Sequence, residues 1–222
     1  MNIIFDLYGT LVDIHTDENS EKVWQTFAKK MKKYKDYDPN DLKDEYFSLV
    51  KELEKDKEEI NILDVFEKLF PDADSTETAI TFRKITTDYI DTYDGVKKLL
   101  KMLKGAGHRI YLLSNAQAVF TNYELEKLGI KKMFDAIYLS SDHEIKKPNL
   151  DYFQNLLDTY GLDTASTVMI GNDYQNDILP AKKLGLKAIY VETNQSRKVD
   201  VEDKVVNFSF TILYEKINNL GI

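Results

Sequence analysis

Length, composition and charge narrow the fold and the partners of this chain before any motif is considered. The chain has 222 residues, 43% of them hydrophobic, which suffices for one α/β domain with an insertion or for two small domains sharing a core. The formal net charge of -8 disfavours a nucleic-acid partner, and the absence of cysteine excludes disulfides, thiolate catalysis and zinc–thiolate sites.

The hydrophobic residues are not arranged as membrane or export segments. The sequence has no run of about 18 apolar residues, so we expect no membrane span and no membrane partner. The first residues lack the basic stretch and apolar run of a signal peptide, which favours a cytoplasmic location. The sequence does not indicate an oligomeric state.

The chain opens with an apolar strand, residues 2–6, that ends at Asp6 and is followed by a tight loop. Between residues 18 and 91 lysine, glutamate and aspartate dominate, and the apolar residues fall at helical spacing. These apolar stripes are Val23, Trp24, Phe27 and Met31; Tyr46, Leu49, Val50 and Leu53; and Ile62, Val65, Phe66 and Leu69. The pattern predicts a bundle of about four helices.

From residue 93 onwards helical and strand patterns alternate. The predicted helices cover residues 96–103, 116–128, 150–160 and 178–184, and the predicted strands cover residues 110–113, 136–139, 167–170 and 187–191. With the first strand, this rhythm predicts an α/β fold with a doubly wound parallel sheet of the Rossmann-like type. The helical bundle is then an insertion, with residues 1–15 and 91–222 in the core and residues 16–90 in the inserted domain.

Polar side chains follow the predicted strands at the points where each strand ends. They are Asp6 after the first strand, Ser114 and Asn115 after the second, Lys147 after the third, and Asn172, Asp173 and Asp177 after the fourth. Ligands bind beyond the carboxyl ends of the strands in an open parallel sheet, so we expect these side chains to converge on one site.

The same segments, in this order, resemble the four motifs of the haloacid dehalogenase-like superfamily. DLYGTLV at residues 6–12 resembles the first motif, LLSN at residues 112–115 the second, KP at residues 147–148 the third, and GNDYQND at residues 171–177 the fourth. The order and spacing agree from residue 2 to about residue 192. The inserted helices are similar in position to the helical cap of this family.

The resemblance implies a hydrolase whose nucleophile is Asp6. Such an enzyme would form an aspartyl-phosphate intermediate with a small phosphorylated substrate. Magnesium would be the cofactor, bound by Asp6, by the main-chain oxygen of Tyr8 and by Asp173, since Mg²⁺ prefers hard oxygen ligands.

The remaining motif residues would bind the substrate and complete the catalytic site. Ser114, Asn115 and Lys147 would contact the transferring phosphoryl group, with Lys147 adding positive charge near the nucleophile. Asp177 would orient Lys147 or a metal-bound water. In the fourth motif Asn172 remains an alternative to Asp173 as the direct metal ligand.

Tyr8 departs from the phosphatase pattern, in which an acid at this position protonates the leaving oxygen. We therefore count Tyr8 among the catalytic-site residues, but as a poor acid. Two alternatives to phosphoryl hydrolysis remain open. One is a 2-haloacid dehalogenase, which resembles this chain in having tyrosine here but uses an arginine early in the cap, whereas this chain has only Arg83, Arg109 and Arg197. The other is a weakly active or non-catalytic binding protein.

Overall fold

The structure is a computed structural model that describes residues 1–201 and 204–221. Within these residues the strands are β1 (Asn2–Phe5), β2 (Val12–Thr16), β3 (Thr87–Thr92), β4 (Arg109–Ser114), β5 (Ala136–Leu139), β6 (Thr167–Gly171), β7 (Lys187–Glu192) and β8 (Lys204–Val206). The helices are α1 (Glu21–Met31), α2 (Pro39–Leu53), α3 (Ile62–Leu69), α4 (Ser75–Thr86), α5 (Val96–Gly105), α6 (Ala118–Lys127), α7 (Leu150–Tyr160), α8 (Leu179–Lys183) and α9 (Phe210–Asn218).

The centre of the molecule is a six-stranded sheet with the order β5-β4-β1-β6-β7-β8. Every neighbouring pair in this sheet is parallel. Because side chains alternate along a strand, Ile3 and Phe5 of β1 pack on one face with helices α5, α6 and α9, whereas Ile4 packs on the other with α7 and α8. The predicted doubly wound parallel α/β fold is confirmed.

The insertion after β1 contains the helical bundle, α1 to α4. Its core is aromatic, with Trp24, Phe27, Phe66 and Phe82 all at most 1% exposed. Asp38, Asn61 and Asp74 begin three of these helices, and each side-chain oxygen accepts a main-chain N–H of the first turn. The apolar stripes therefore bury one face of each helix in a common core.

A two-stranded antiparallel ribbon, β2 with β3, connects the bundle to the core. The helical pattern predicted up to residue 91 is wrong for residues 87–91, because this segment pairs with β2 instead. The core sheet also extends one strand further than predicted, through β8, and α9 packs against α5. The division at residues 15/16 and 90/91 stays a prediction, since the ribbon spans both boundaries.

No helix in the described ranges is both long and apolar enough to cross a lipid bilayer.

The bundle contacts the core through a first group of polar side chains next to α6. The side chain of Gln117 accepts the main-chain N–H of Ile62 and donates to the carbonyl of Ile60, each at 2.8 Å. The Ser140 hydroxyl donates to the buried carboxylate of Glu59 at 2.8 Å. These contacts hold the segment before α3 against the loops that follow β4 and β5.

Candidate active site

All the residues predicted for the site line one cavity of about 240 Å³ at the carboxyl ends of the parallel strands. The lining residues are Asp6, Tyr8, Ser114, Asn115, Lys147, Asn172, Asp173, Asn176, Asp177 and Gln195. β4, β1 and β6 are neighbours in the sheet, which brings together the residues that follow them. Asn176 and Gln195 also belong to the lining, although the strand-end pattern does not predict them.

Lys147 is the centre of the charged groups in the cavity. Its ammonium donates to Asp6 Oδ1 at 2.7 Å, to Asp177 Oδ1 at 2.6 Å and to the carbonyl of Leu113 at 3.0 Å. Burial by itself lowers the pKa of Lys147, but the two carboxylates outweigh it and raise the pKa to about 12. The lysine is therefore a fixed positive charge beside Asp6 at neutral pH.

Asp177 lies beneath this lysine and is 1% exposed. Its Oδ2 accepts the main-chain N–H of Asp173 at 2.9 Å. Burial raises the pKa of Asp177, and the adjacent ammonium of Lys147 opposes that rise. A Cβ atom at Gly171 would lie 2.3 Å from Asp177 Oδ2, so glycine at the end of β6 makes room for this carboxylate.

Asn115 pairs with the main chain of Lys147 rather than pointing freely into the cavity. Its Oδ1 accepts the Lys147 N–H at 2.8 Å, and its Nδ2 donates to the Lys147 carbonyl at 2.8 Å. Ser114 is 1% exposed, and its hydroxyl lies 3.4 Å from Asp6 Oδ1. The geometry thus places a hydroxyl beside Asp6 and uses the amide of Asn115 to fix the segment that carries Lys147.

Thr10 is a further site residue that the strand-end pattern does not predict. Its hydroxyl is 2.8 Å from Asp6 Oδ2 and 3.1 Å from Asn172 Oδ1. A hydroxyl has one proton, so Thr10 donates to one of these two oxygens at a time, and its contacts bring the Asn172 side chain close to Asp6. Gly9, with φ of 79°, allows this approach, since a Cβ there would lie 2.3 Å from Asn172 Nδ2.

The three residues predicted to supply metal ligands, Asp6, Tyr8 and Asp173, all belong to the lining of this cavity. Both oxygens of Asp173 accept hydrogen bonds, Oδ1 from the N–H groups of Gln175 and Asn176 and Oδ2 from Asn176 Nδ2 at 2.7 Å. No group of three His, Cys, Asp or Glu side chains suited to a metal occurs in the described part of the chain. The oxygen types fit Mg²⁺ because this ion needs few protein ligands and keeps several waters.

The phenol of Tyr8 lies outside the reacting centre, among buried polar groups. Its hydroxyl donates to Glu124 and is 3.0 Å from the hydroxyl of Thr121. Burial and the negative charge of Glu124 raise the pKa of Tyr8 well above its usual value. The phenol therefore keeps its proton at physiological pH, and that proton is engaged by Glu124.

The fold and the site define an α/β protein with a carboxylate–lysine cavity at its strand ends and a helical bundle inserted after the first strand. A family model described as haloacid dehalogenase-like hydrolase matches residues 3–191. The chain therefore belongs to the haloacid dehalogenase-like hydrolase family, as the motifs predicted.

Several curated relatives match part of the chain. A glyceraldehyde 3-phosphate phosphatase of Methanocaldococcus jannaschii is 26% identical over 143 residues, which is 64% of this chain and 62% of the relative. A phosphoglycolate phosphatase of Agrobacterium fabrum is 28% identical over 135 residues, which is 58% of each chain. The matches thus span about half to three-fifths of the length of such relatives.

Two solved structures have a similar fold over nearly the whole chain. A HAD phosphatase from Thermococcus onnurineus superposes with a TM-score of 0.64 at 17% identity, covering 97% of both chains. A 2-haloacid dehalogenase from Pseudomonas syringae superposes with a TM-score of 0.63 at 18% identity, also covering 97% of both. At this identity the two likenesses show the fold alone.

Proposed function

We propose that this protein is a Mg²⁺-dependent phosphomonoester hydrolase that forms an aspartyl-phosphate intermediate on Asp6. The observation that carries the proposal is the Asp6 carboxylate, which opens on the cavity 2.7 Å from the ammonium of Lys147. Relatives named as phosphatases of small phosphorylated molecules support this substrate class. The cytoplasmic location stays a prediction.

The chemistry divides into two displacements at phosphorus. First, an Asp6 oxygen attacks, a new P–O bond forms, and the leaving oxygen departs with the electron pair of the broken bond. Water then attacks the same phosphorus, which releases inorganic phosphate and restores the Asp6 carboxylate. Lys147 and the hydroxyl of Ser114 would stabilise the phosphoryl oxygens in both steps.

Asp6, the main-chain oxygen of Tyr8 and Asp173 would hold Mg²⁺ in this proposal. The ion, when bound, would offset the negative charges of Asp6 and phosphate. Asn172 is the alternative to Asp173, supported by its position beside Thr10 and by the hydrogen bonds that already occupy both Asp173 oxygens. Calorimetric titration of Asn172→Ala and Asp173→Ala with Mg²⁺ distinguishes the two.

The leaving group is where this site departs most from an ordinary phosphatase. The Tyr8 proton is engaged by Glu124, so Tyr8 supplies no acid to the leaving oxygen. We propose that good leaving groups, as in aryl and acyl phosphates, are favoured over simple alkyl phosphates.

A second candidate is dehalogenation, because a halide leaves without a proton and so needs no acid at Tyr8. The lining of the cavity disfavours dehalogenation, since among the described residues no arginine lines it to bind a carboxylate or a halide. Arg83 instead pairs with Glu124. Chloride release from a 2-haloacid without metal would support this candidate.

The decisive experiment is a screen of phosphomonoesters with and without Mg²⁺, using wild type, Asp6→Asn and two lysine variants. We expect Mg²⁺-dependent turnover that Asp6→Asn abolishes and Lys147→Met strongly lowers. Lys101→Met is the control, because Lys101 is an exposed lysine on α5 and is absent from the cavity lining. Ligand-dependent stabilisation without turnover would indicate a binding protein instead.

A further inference from the structure

A buried ionic contact joins the helical bundle to the core at a second place, away from Gln117. Arg83 of α4 contacts Glu124 of α6 through Nε and Oε1 at 2.6 Å. The two side chains are 13% and 3% exposed, so this contact is largely removed from water. The Arg83 guanidinium also lies 5.0 Å from the ring centre of Phe120.

The same glutamate holds the loop that carries the proposed nucleophile. Glu124 uses one carboxylate oxygen for Arg83 and the other for the hydroxyl of Tyr8, two residues after Asp6. Arg83 also faces the Tyr8 ring, 6.0 Å from its centre. An unbroken line of contacts therefore runs from the helical bundle through the core helix α6 to the loop after β1.

The loop is otherwise fixed from within and from the opposite side. The carbonyl of Leu7 accepts the N–H groups of Leu11 at 2.8 Å and Val12 at 3.0 Å, and the Thr193 hydroxyl donates to the carbonyl of Gly9 at 2.7 Å. Tyr8 is the side chain of this loop that reaches toward the bundle. Its main-chain oxygen and the carboxylate of Asp6 are both elements of the proposed site.

We propose that Arg83 and Glu124 are positioning residues, which fix the loop of Asp6 and Tyr8 by holding the Tyr8 hydroxyl when the bundle is docked. This inference rests on the proposed function for its catalytic consequence, but not for its structural one. Contact between the bundle and the core then fixes the loop that carries Asp6. Tyr8, at the position of the usual acid, is the residue through which Arg83 and Glu124 hold this loop.

The charge balance explains why both members of the pair are needed. A buried carboxylate is tolerated only when it is paired and hydrogen-bonded, and Glu124 has Arg83 and Tyr8 as partners. Loss of Arg83 leaves Glu124 buried without its cation, so the carboxylate must rearrange or recruit water. Either change withdraws the acceptor from the Tyr8 hydroxyl and frees the loop.

The test is amide hydrogen exchange of the metal-free, substrate-free protein, read at the amides of Leu11 and Val12. We expect exchange at least tenfold faster in Tyr8→Phe and in Arg83→Met, with an intermediate rate in Arg83→Lys, which keeps the charge. Arg109→Met is the control, since Arg109 is an exposed arginine at the start of β4, and it should exchange as wild type does. Protection within α2 and far-UV circular dichroism report whether the bundle is folded.

Turnover of 4-nitrophenyl phosphate supplies the functional readout. We expect kcat to fall at least tenfold in Tyr8→Phe while KM stays within twofold, and Arg83→Lys to retain more activity than Arg83→Met. Wild-type exchange of Leu11 and Val12 in Tyr8→Phe would overturn the positioning role, even if Arg83→Met fails to fold. If the proposed function is wrong, wild type shows no Asp6-dependent turnover, yet the exchange result still decides the positioning role.

Discussion

Replacing Lys147 by methionine tests the electrostatics of the cavity directly. In wild type, one ammonium pairs with two carboxylates, Asp6 and Asp177, which are 6% and 1% exposed. Methionine fills a similar volume but leaves two buried negative charges facing each other. Removing one partner of a buried ion pair costs about 3–5 kcal/mol, so we expect the free energy of unfolding to fall by about that amount at neutral pH.

The pH dependence of this loss has a definite sign. Without the ammonium that opposes it, burial raises the pKa of Asp177 further above the unfolded value of about 3.9. A carboxyl with a raised pKa destabilises the fold above its unfolded pKa, and this effect is relieved as falling pH protonates the folded group. Lys147 with a pKa of about 12 stays charged, and the pKa of Asp177 beside it is about 7. The difference from wild type should therefore shrink as pH falls from about 9 to about 7, and it should stay level between pH 7 and pH 5 because Asp177 is then protonated in both folded proteins.

Urea unfolding in the presence of EDTA measures this difference without any metal to offset the charges. Lys101→Met is the control and should change the free energy of unfolding by no more than about 0.5 kcal/mol, because Lys101 is exposed on the surface of α5. A loss under about 1 kcal/mol in Lys147→Met, or a difference that grows toward pH 5, would refute the assignment of Lys147 as partner of two buried carboxylates.

Three further predictions concern the leaving group, the metal and the docking of the bundle. Tyr8→Asp should turn over alkyl phosphates up to about 10²–10⁴ faster than Tyr8→Phe, which lacks the same hydroxyl but has no acid. No gain over Tyr8→Phe, in a Tyr8→Asp protein whose Tm shows that it is folded, would contradict the leaving-group argument. If Asn172 is the direct metal ligand, Asn172→Ala should weaken Mg²⁺ binding in calorimetry more than Asp173→Ala does. The reverse order would identify Asp173 as the ligand. Gln117→Ala should lower the free energy of unfolding by about 1–3 kcal/mol, because the N–H of Ile62 and carbonyl of Ile60 lose their partner; an unchanged urea midpoint would show that water replaces it.

The core strands were predictable because each is a short run of apolar residues, which can be recognised without knowing what the strand pairs with. The predicted strand at residues 110–113 is β4, and the one at residues 167–170 is β6, each within a residue at either end. β3 was not predictable in this way, since Thr87–Thr92 is mostly polar, has no fully buried residue and exists as a strand through its pairing with β2. That pairing joins two segments separated by the seventy residues 17–86, and no local sequence pattern indicates it.

The strand-end residues were likewise predictable, because topology alone places them on one edge of the sheet. Glu124 was not selected, since a glutamate on a predicted helix ordinarily faces water. The helical spacing indicated its burial: Glu124 lies four residues after Phe120 and three after Thr121, on the same face of the helix. In the structure Phe120, Thr121 and Leu125 are all buried, as is Glu124. Its partner Arg83 lies 41 residues away on another helix, so the pair required the three-dimensional arrangement.

The central claim is that Asp6 is a covalent nucleophile at phosphorus, and the most direct measurement is the mass of the Asp6 peptide after an acid quench during turnover of an aryl phosphate. We predict that wild type with Mg²⁺ gains the mass of one phosphoryl group on this peptide, that hydroxylamine removes it, and that Asp6→Asn never acquires it. Turnover that persists in Asp6→Asn, with no phosphoryl group on this peptide in wild type, would contradict the account.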